Sequence, residues 1–258
     1  MLGDNKTTLA LGYVHGGHSV HPAFMQSVQN FIFADWGKSG RHVLTQILSA
    51  GGLYVDHNRN SLTYAFLKYE PQIEWLMMID TDIAFEVQDI YAILDSADSI
   101  NRPVISGLYF SNFTDQKLGI QPLWYNEVPS KLAFSHFNKP INMNGHVLHP
   151  IDACGAGFML VHRSVFEKIA ELHTDEHYKW FKHIEVDPNT VPMGEDLVFC
   201  QRIREAGFKI YGLGAVVTHC KTTGLNAFSY VKDHPNYVTH VPADQEGMEK
   251  LVTLKQVA

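Results

Sequence analysis

The segment Glu74–Phe85, with the sequence EWLMMIDTDIAF, joins a short apolar run to two closely spaced carboxylates. The run Glu74–Ile79 has the length and composition of a buried β-strand. It is followed by Asp80, Thr81 and Asp82, at the point where a strand of an α/β sheet reaches its ligand-binding edge. Two carboxylates so close repel each other unless a cation or solvent lies between them. The segment therefore predicts a divalent-metal site, and a solvated strand end or helix cap is the alternative.

Apolar runs of strand length alternate with segments of helical period along most of the chain, which predicts an α/β fold with a sheet covered on both faces. The stretch from about Ser111 to Pro150 has no clear hydrophobic period, which predicts a long loop-rich segment with a functional role. The tail after Lys221 is polar and gives no clear prediction. The predicted strands are Thr8–Val14, His42–Leu48, Glu74–Ile79, Pro103–Leu108, Phe158–His162, one around Ile210 and Val216–His219. The predicted helices begin at Pro22 and Ser61 and cover Val87–Asp98, Ser164–Glu171 and Glu195–Ala206.

Composition excludes several classes of protein. The chain has 258 residues, of which 45% are hydrophobic and 18% charged, as in a globular domain and unlike a disordered chain. Its 20 basic and 27 acidic side chains give a net charge of −7, which disfavours binding to DNA or anionic membranes. No run approaches the roughly 18 apolar residues of a membrane span, and the start lacks a signal-peptide pattern. The three cysteines form no C-x-x-C pair. We therefore expect a soluble cytoplasmic protein without a disulfide scaffold.

Two further motifs carry candidate chemistry. Glu195 and Asp196 open a predicted helix, where acidic residues commonly serve only as caps favoured by the helix dipole. A carboxylate kept ionised there is also able to take a proton from an attacking hydroxyl group. His219 lies near the end of the apolar run AVVTHC and is either a packed histidine or, if the sheet brings it to the carboxylates, a third metal ligand of the kind that suits manganese.

Other patterns argue against rival functions. Gly155, Ala156 and Gly157 precede a predicted strand and do not open a helix, so they are not a dinucleotide-binding fingerprint. The sequence also contains no G-x-S-x-G nucleophile elbow.

The motifs in their order are more specific than any one of them. The chain contains YVHGG, DHNRNSLTYAFL, EWLMMIDTDIAF, RPVISGLYF, IDACGAGFMLVHRSVFEKI, GEDLVFCQRIREAGFKIY and VVTHC, in that sequence. This set resembles the GT-A glycosyltransferases, and most of all the small family 2-like enzymes often encoded by bacteriophages. The resemblance covers roughly Leu9–Cys220. It implies a single domain with a Rossmann-like mixed central sheet flanked by helices, a nucleotide-sugar-binding half at about 7–110, an acceptor and catalytic half at about 111–220, and a C-terminal tail at 221–258.

By this resemblance, the acidic pair holds Mn²⁺ or Mg²⁺ on the diphosphate of a nucleotide sugar. Asp82 would bind the metal directly, and Asp80 would reach the ribose or a metal-bound water. Asp196 matches the catalytic base of inverting members, and Glu195 would position sugar or acceptor hydroxyls. His219 matches the histidine that completes the metal shell, although Cys220 and Lys221 depart from the apolar segment that usually follows it. The donor-binding residues implied are Tyr13, Val14, His15, Arg59, Asn60, Asp80, Thr81, Asp82, Gly155, Ala156 and Gly157, with Arg59 alternatively a surface helix charge.

The expected function is metal-dependent transfer of a sugar from a UDP-sugar to an acceptor hydroxyl, with inversion. Two alternatives stay open: a noncatalytic nucleotide-sugar- or glycan-binding module on the same fold, and a sugar-nucleotide pyrophosphorylase. The second normally has a basic residue in a Gly-rich loop after the first strand, which YVHGGHSV lacks. The acceptors known among such relatives are saccharides, proteins and hydroxymethylated DNA bases. Aromatic side chains in the loops, among them Trp124, Tyr125, Phe134, Trp180 and Phe181, either stack on a sugar or pack as small satellite cores.

Overall fold

The computed structural model describes residues 7–16, 20–113, 118–129, 133–185, 193–220, 231 and 238–240. In this part of the chain no helix has the length and apolar character needed to cross a membrane. Most of the predicted C-terminal tail at 221–258 lies outside the described residues. The helices are α1 (Pro22–Trp36), α2 (Val55–Tyr69), α3 (Val87–Ser96), α4 (Arg163–Leu172) and α5 (Glu195–Glu205). The strands are β1 (Leu9–His15), β2 (Leu44–Gly51), β3 (Trp75–Asp80), β4 (Ile83–Ala84), β5 (Val104–Leu108), β6 (Phe110–Asn112), β7 (Ile120–Pro122), β8 (Trp124–Glu127), β9 (Phe134–His136), β10 (Ile141–Asn142), β11 (Leu148–Ile151), β12 (Ala153–Cys154), β13 (Phe158–His162), β14 (Ile210–Val216), β15 (Thr218–His219) and β16 (Val238–His240).

A seven-stranded mixed sheet forms the centre of the described structure, in the order β11-β14-β5-β13-β3-β1-β2. Strands β2, β1 and β3 are parallel, as are β14 and β5, whereas β13 and β11 run antiparallel to their neighbours. Val14 of β1 is paired with Asp80 of β3, so the two strands end together. Since the chain leaves β1 toward β2 on one side and β3 lies on the other, this is a topological switch point of the kind that binds ligands.

The sheet is covered on both faces, which explains why its inner strands are apolar throughout. Five of the six residues of β3 are buried. Helices α1 and α3 pack on one face through an apolar cluster that includes Phe24, Phe31 and Ile93. Helices α2, α4 and α5 pack on the other face through a cluster that includes Phe66 and Phe166. The predicted covered α/β sheet is therefore confirmed.

Three local predictions need correction. The second helix begins at Val55, not at Ser61, so Arg59 and Asn60 lie inside it and not before it. No side chain caps its start, and its first turns carry polar residues that are held by tertiary hydrogen bonds, so a hydrophobic period is absent there. The second strand is β2 (Leu44–Gly51), later than the predicted His42–Leu48. The stretch 111–150 contains short strands of two to four residues, too short to produce a readable period.

Candidate active site

A cavity of about 520 Å³ opens where β1 and β3 end. Its floor is formed by Val14 and His15 at the end of β1, and by Asp80, Thr81 and Asp82 after β3. The other lining residues are Gly16, Val20, His21, Pro22, Gly52, Leu53, Val55 and Asn58. The predicted carboxylate pair and the turn after the first strand therefore share one cavity at the switch point of the sheet.

Hydrogen bonds to backbone carbonyls hold the walls of this cavity together. The amide of His21, which caps α1, donates to the carbonyl of Thr81 at 2.9 Å. The side chain of Asn58 donates to the carbonyls of His15 (3.3 Å) and Gly52 (3.0 Å), which ties α2 to the ends of β1 and β2. A Cβ atom placed on Gly51 would lie 2.2 Å from Cε1 of His15. The absence of a side chain at Gly51 thus leaves room for the His15 ring.

Arg59 connects the strand-end carboxylates to the start of α5. Its guanidinium is buried, with Nη2 donating to both carboxylate oxygens of Asp80 at 2.8 and 3.0 Å and Nη1 donating to Glu195. Burial alone would lower the pKa of Arg59, but the carboxylates of Asp80, Glu195 and Asp196 outweigh it and hold the pKa above its ordinary value. Arg59 is therefore not a surface helix charge, because it is the buried cation of an acidic cluster.

The glycine turn before β13 lies close to two carboxylates of this cluster, those of Asp80 and Asp196. A Cβ atom on Gly157 would lie 2.8 Å from Oδ2 of Asp80, and one on Gly155 would lie 3.6 Å from Oδ2 of Asp196. The hydroxyl of Tyr109 accepts a hydrogen bond from the amide of Gly157 at 2.9 Å. Burial, with Asp80 and Asp196 adding to it, raises the pKa of Tyr109 well above its ordinary value, so its hydroxyl stays protonated. A Cβ atom on Gly155 would also lie 2.2 Å from the hydroxyl oxygen of Tyr109, so the absence of side chains in this turn leaves room for Tyr109.

Asp196 is half-buried in the first turn of α5 and accepts a hydrogen bond from the amide of Leu197 at 2.8 Å. Burial and the neighbouring charge of Glu195 raise its pKa to about 6, although Arg59 opposes the shift. A carboxylate with such a pKa is still ionised at neutral pH and is a stronger base than an exposed aspartate. Glu195 is more deeply buried, and its second oxygen lies 3.3 Å from Nε2 of His183.

Asp82 and His219 meet at the rim of the cavity. The antiparallel pairing of β15 with β4 brings Nε2 of His219 to 3.2 Å from Oδ2 of Asp82. Nδ1 of His219 lies 2.8 Å from the carbonyl oxygen of Phe110, which only accepts hydrogen bonds, so Nδ1 carries a proton. In the neutral ring, Nε2 then presents a lone pair to a carboxylate oxygen. A lone pair and a carboxylate oxygen repel each other at this distance unless a proton or a cation lies between them. An imidazole whose other nitrogen donates to a backbone carbonyl is the usual form of a metal-ligating histidine.

The described residues contain no group of three or more His, Cys, Asp or Glu side chains arranged to hold a metal ion. Asp82 and His219 form a pair, whereas both oxygens of Asp80 accept hydrogen bonds from Arg59. The donor set of Asp82 and His219 fits a hard divalent ion that completes its shell with other oxygens. Direct ligation by Asp80 has no such support in the geometry and stays a prediction.

Six predicted donor-binding residues lie outside the described lining of the cavity: Tyr13, Arg59, Asn60, Gly155, Ala156 and Gly157. Tyr13 packs edge-on against Phe24, with ring centroids 5.4 Å apart. The side chain of Asn60 donates to the carbonyl of Phe181 at 2.6 Å and accepts from the amide of Trp180 at 3.2 Å, so it anchors that loop. The predicted contacts of Tyr13 and Asn60 with a donor remain untested.

Sequence reasoning missed Tyr109, Asn58 and His183. Tyr109 directly follows the buried strand β5, so the strand-end argument used for Asp80 would have found it. Asn58 sits in the unrecognised first turn of α2. His183 belongs to a segment without helix or strand, and its contacts join it to Asp56 (3.5 Å), which is far away in the sequence, and to Glu195 in the next helix. No local pattern indicates it.

No protein-family model matches this sequence, and no curated protein does. Among solved structures, A197 from STIV is 18% identical with a TM-score of 0.49, over 83% of this chain and 85% of that one. A glycosyltransferase involved in the glycosylation of the major capsid of PBCV-1 is 12% identical with a TM-score of 0.35, over 66% of this chain and 68% of that one. GalNAc-T7, solved with UDP, GalNAc and Mn²⁺, is 10% identical with a TM-score of 0.50, over 83% of this chain and 43% of that one.

The similarity to GalNAc-T7 concerns the fold, since the identity of the two sequences is 10% and the matched region is less than half of that protein. Together with the topology of the central sheet, it shows a mixed α/β fold of the GT-A type, flanked by helices. The fold class implied by the sequence motifs is confirmed.

Proposed function

We propose that this chain is a metal-dependent glycosyltransferase that moves a sugar from a UDP-sugar to an acceptor hydroxyl with inversion. One observation carries the proposal: Arg59 joins the cavity at Asp80 to the start of α5, where the pKa of Asp196 is raised. Asp80 at the cavity and Glu195, the neighbour of the proposed base, are thereby held by the same buried guanidinium. The fold similarity to GalNAc-T7, which was solved with UDP, GalNAc and Mn²⁺, supports the same assignment.

In this proposal the donor occupies the cavity at the ends of β1 and β3. Val14 and His15 would contact the nucleotide, and Thr81 and Asp80 would lie near the ribose. The glycine turn Gly155–Gly157, which lies beside Asp80 and Asp196, would contact the sugar. Residues 7–110 then supply the donor half, and residues 111–220 supply the turn, the base and His219.

Asp82 and His219 are the residues that would hold Mn²⁺ or Mg²⁺. Such an ion, when bound, offsets the negative charge that develops on the departing diphosphate. Asp196 would accept the proton of the acceptor hydroxyl as that oxygen attacks the anomeric carbon from the face opposite the diphosphate, which gives inversion. Arg59 fixes Glu195 beside the base, so the carboxylate of Glu195 can orient sugar or acceptor hydroxyls.

The metal-dependent donor site is tested by calorimetric titration of UDP with and without Mn²⁺. We expect Mn²⁺ to strengthen UDP binding to the wild-type protein, and Asp82→Asn or His219→Gln to reduce that gain by more than about tenfold. Asp152→Asn, a change at a carboxylate outside the cavity, serves as the control. UDP affinity that does not respond to Mn²⁺ would contradict the metal site. No UDP binding under either condition would contradict the uridine assignment.

The proposed base also predicts a pH dependence. Asp196 acts only when ionised and its pKa is about 6, so the rate of sugar transfer should rise from pH 5 to pH 7 and level off above. The rate is measured at saturating donor, with UDP affinity determined at each pH to separate binding from chemistry. A rate that is flat, or that falls, between pH 5 and 7 would exclude Asp196 as the base.

A further inference from the structure

A second groove lies along the outer face of α2. Its volume is about 720 Å³, and it shares no described lining residue with the cavity at Asp80–Asp82. One wall is α2 and the other is the segment 176–180 together with the end of α4. The lining residues are His57, Asn60, Ser61, Tyr64, Ala65, Leu67, Lys68, Tyr69, Ala170, Glu176, His177, Tyr178, Lys179 and Trp180. Neither the proposed donor site nor the proposed base uses this groove.

Aromatic side chains with polar ends dominate its surface. Tyr64 and Tyr69 are 53% and 62% exposed, and Nζ of Lys68 lies 5.3 and 5.0 Å from their ring centroids. On the opposite wall, the hydroxyl of Tyr178 lies 3.4 Å from Nδ1 of His57, and the two rings meet edge-on. The groove thus offers exposed aromatic side chains beside hydroxyl, imidazole and ammonium groups.

The charge of the groove comes from its lysines. Glu176 is the acidic residue among the described lining residues, and its carboxylate is engaged by Lys182 and Arg202. Burial opposes ionisation of Glu176, but these cations outweigh it and lower its pKa to about 2. Among the described lining residues, no carboxylate that lacks a cationic partner therefore competes with a ligand for Lys68 and Lys179.

We infer that this groove binds a saccharide chain. Aromatic rings with an adjacent polar group suit ligands that have an apolar face and a polar edge, as sugar rings do. The hydroxyls of a saccharide can accept hydrogen bonds from lysine and exchange them with tyrosine and serine. At about 1.5 Å per residue, the span from His57 to Tyr69 is about 18 Å, which accommodates several linked sugar rings. Two lysines on a chain of net charge −7 make few of the phosphate contacts that nucleic acids need.

The groove leads toward the start of α5, but saccharide binding in it does not depend on the proposed function. His57 at one end of the groove is adjacent to Asp56, which contacts His183, and His183 contacts Glu195. A saccharide held along α2 would therefore extend toward the start of α5. Binding itself requires neither a donor nor Asp196, so the two proposals can fail separately.

The test is isothermal titration of the full chain with glucose, galactose, mannose, rhamnose and N-acetylglucosamine oligomers of two to six units. We expect at least one series to bind more tightly as its length increases. Tyr64→Ala and Tyr69→Ala should each weaken that binding several-fold, and together by about tenfold. Tyr64→Phe, which keeps the ring, should retain most of it. Phe33→Ala, at a 76% exposed aromatic of α1, should have no effect.

Three results would overturn the inference. These are the absence of binding for every oligomer, oligosaccharide binding that both tyrosine variants retain, and binding of a twelve-nucleotide oligothymidylate that is lost in those variants. Thermal melting establishes that the exposed substitutions leave the fold intact. Mn²⁺-dependent UDP binding, measured on the same variants, should be unchanged, so that a failure of this groove is distinguished from a failure of the donor site.

Discussion

Asp196→Asn is expected to reduce the rate of sugar transfer by about 10²–10⁴-fold while leaving UDP affinity nearly unchanged. Asparagine keeps an oxygen that can accept the hydrogen bond from the amide of Leu197 in the first turn of α5. It cannot take a proton from an acceptor hydroxyl. Because burial and Glu195 already disfavour the charge on Asp196, a neutral side chain there should not destabilise the fold.

The comparison requires transfer or slow donor hydrolysis by the wild-type protein, measured with a panel of UDP-sugars. Asp95→Asn, which removes a largely exposed carboxylate paired with Arg41, controls for a general effect of lost negative charge. Transfer by Asp196→Asn at close to the wild-type rate would reject the base assignment. UDP-sugar binding by the wild-type protein with neither transfer nor hydrolysis would favour a noncatalytic binding module.

Arg59→Met is expected to destabilise the protein by about 3–5 kcal/mol and to abolish transfer, because it leaves the carboxylates of Asp80 and Glu195 without their buried cation. The loss of stability should increase with pH. Arg59 opposes the raised pKa of Asp196, so without the guanidinium that pKa should rise further above its unfolded value. The folded state then binds more protons than the unfolded state, and its stability falls as pH increases. Urea unfolding at pH 5 and pH 8 measures both effects.

Arg41→Met is the matched control, since Arg41 pairs with Asp95 at the surface, with side-chain exposures of 38% and 62%. We expect a change in its unfolding free energy below about 1 kcal/mol. Arg59→Lys should restore part of the stability but not the bond to both oxygens of Asp80. An equal, small effect of Arg59→Met and Arg41→Met would show that the buried network does not hold the site together.

The parts of the fold that could be predicted are those in which a single segment contains the sequence pattern that indicates its own strand or helix. Strand β3 is apolar because it is covered on both faces, and the carboxylates after it follow from the rule for strand ends. Helix α5 has a regular period and an acidic start. The strands between 111 and 150 had no such signal, because two to four residues do not define a period.

The parts of the candidate site that could not be predicted depend on contacts between distant segments. The burial of Arg59 follows from carboxylates on β3 and α5, 21 and 136 residues away in the chain. The contact between Asp82 and His219 likewise requires the pairing of β4 with β15. The motifs identify the candidate side chains, whereas the fold determines the hydrogen-bond partners of each one.

The reversed direction of β13 has a consequence for how the site comes into being. Phe158, the first residue of β13, is paired with Ile79, near the end of β3. The turn that enters β13 therefore arrives at the same edge that β3 leaves, although the two are separated by some 75 residues of intervening chain. Neither half of the polypeptide contains all residues of the candidate site by itself. A nascent chain assembles the candidate site only when its second half has docked on the first.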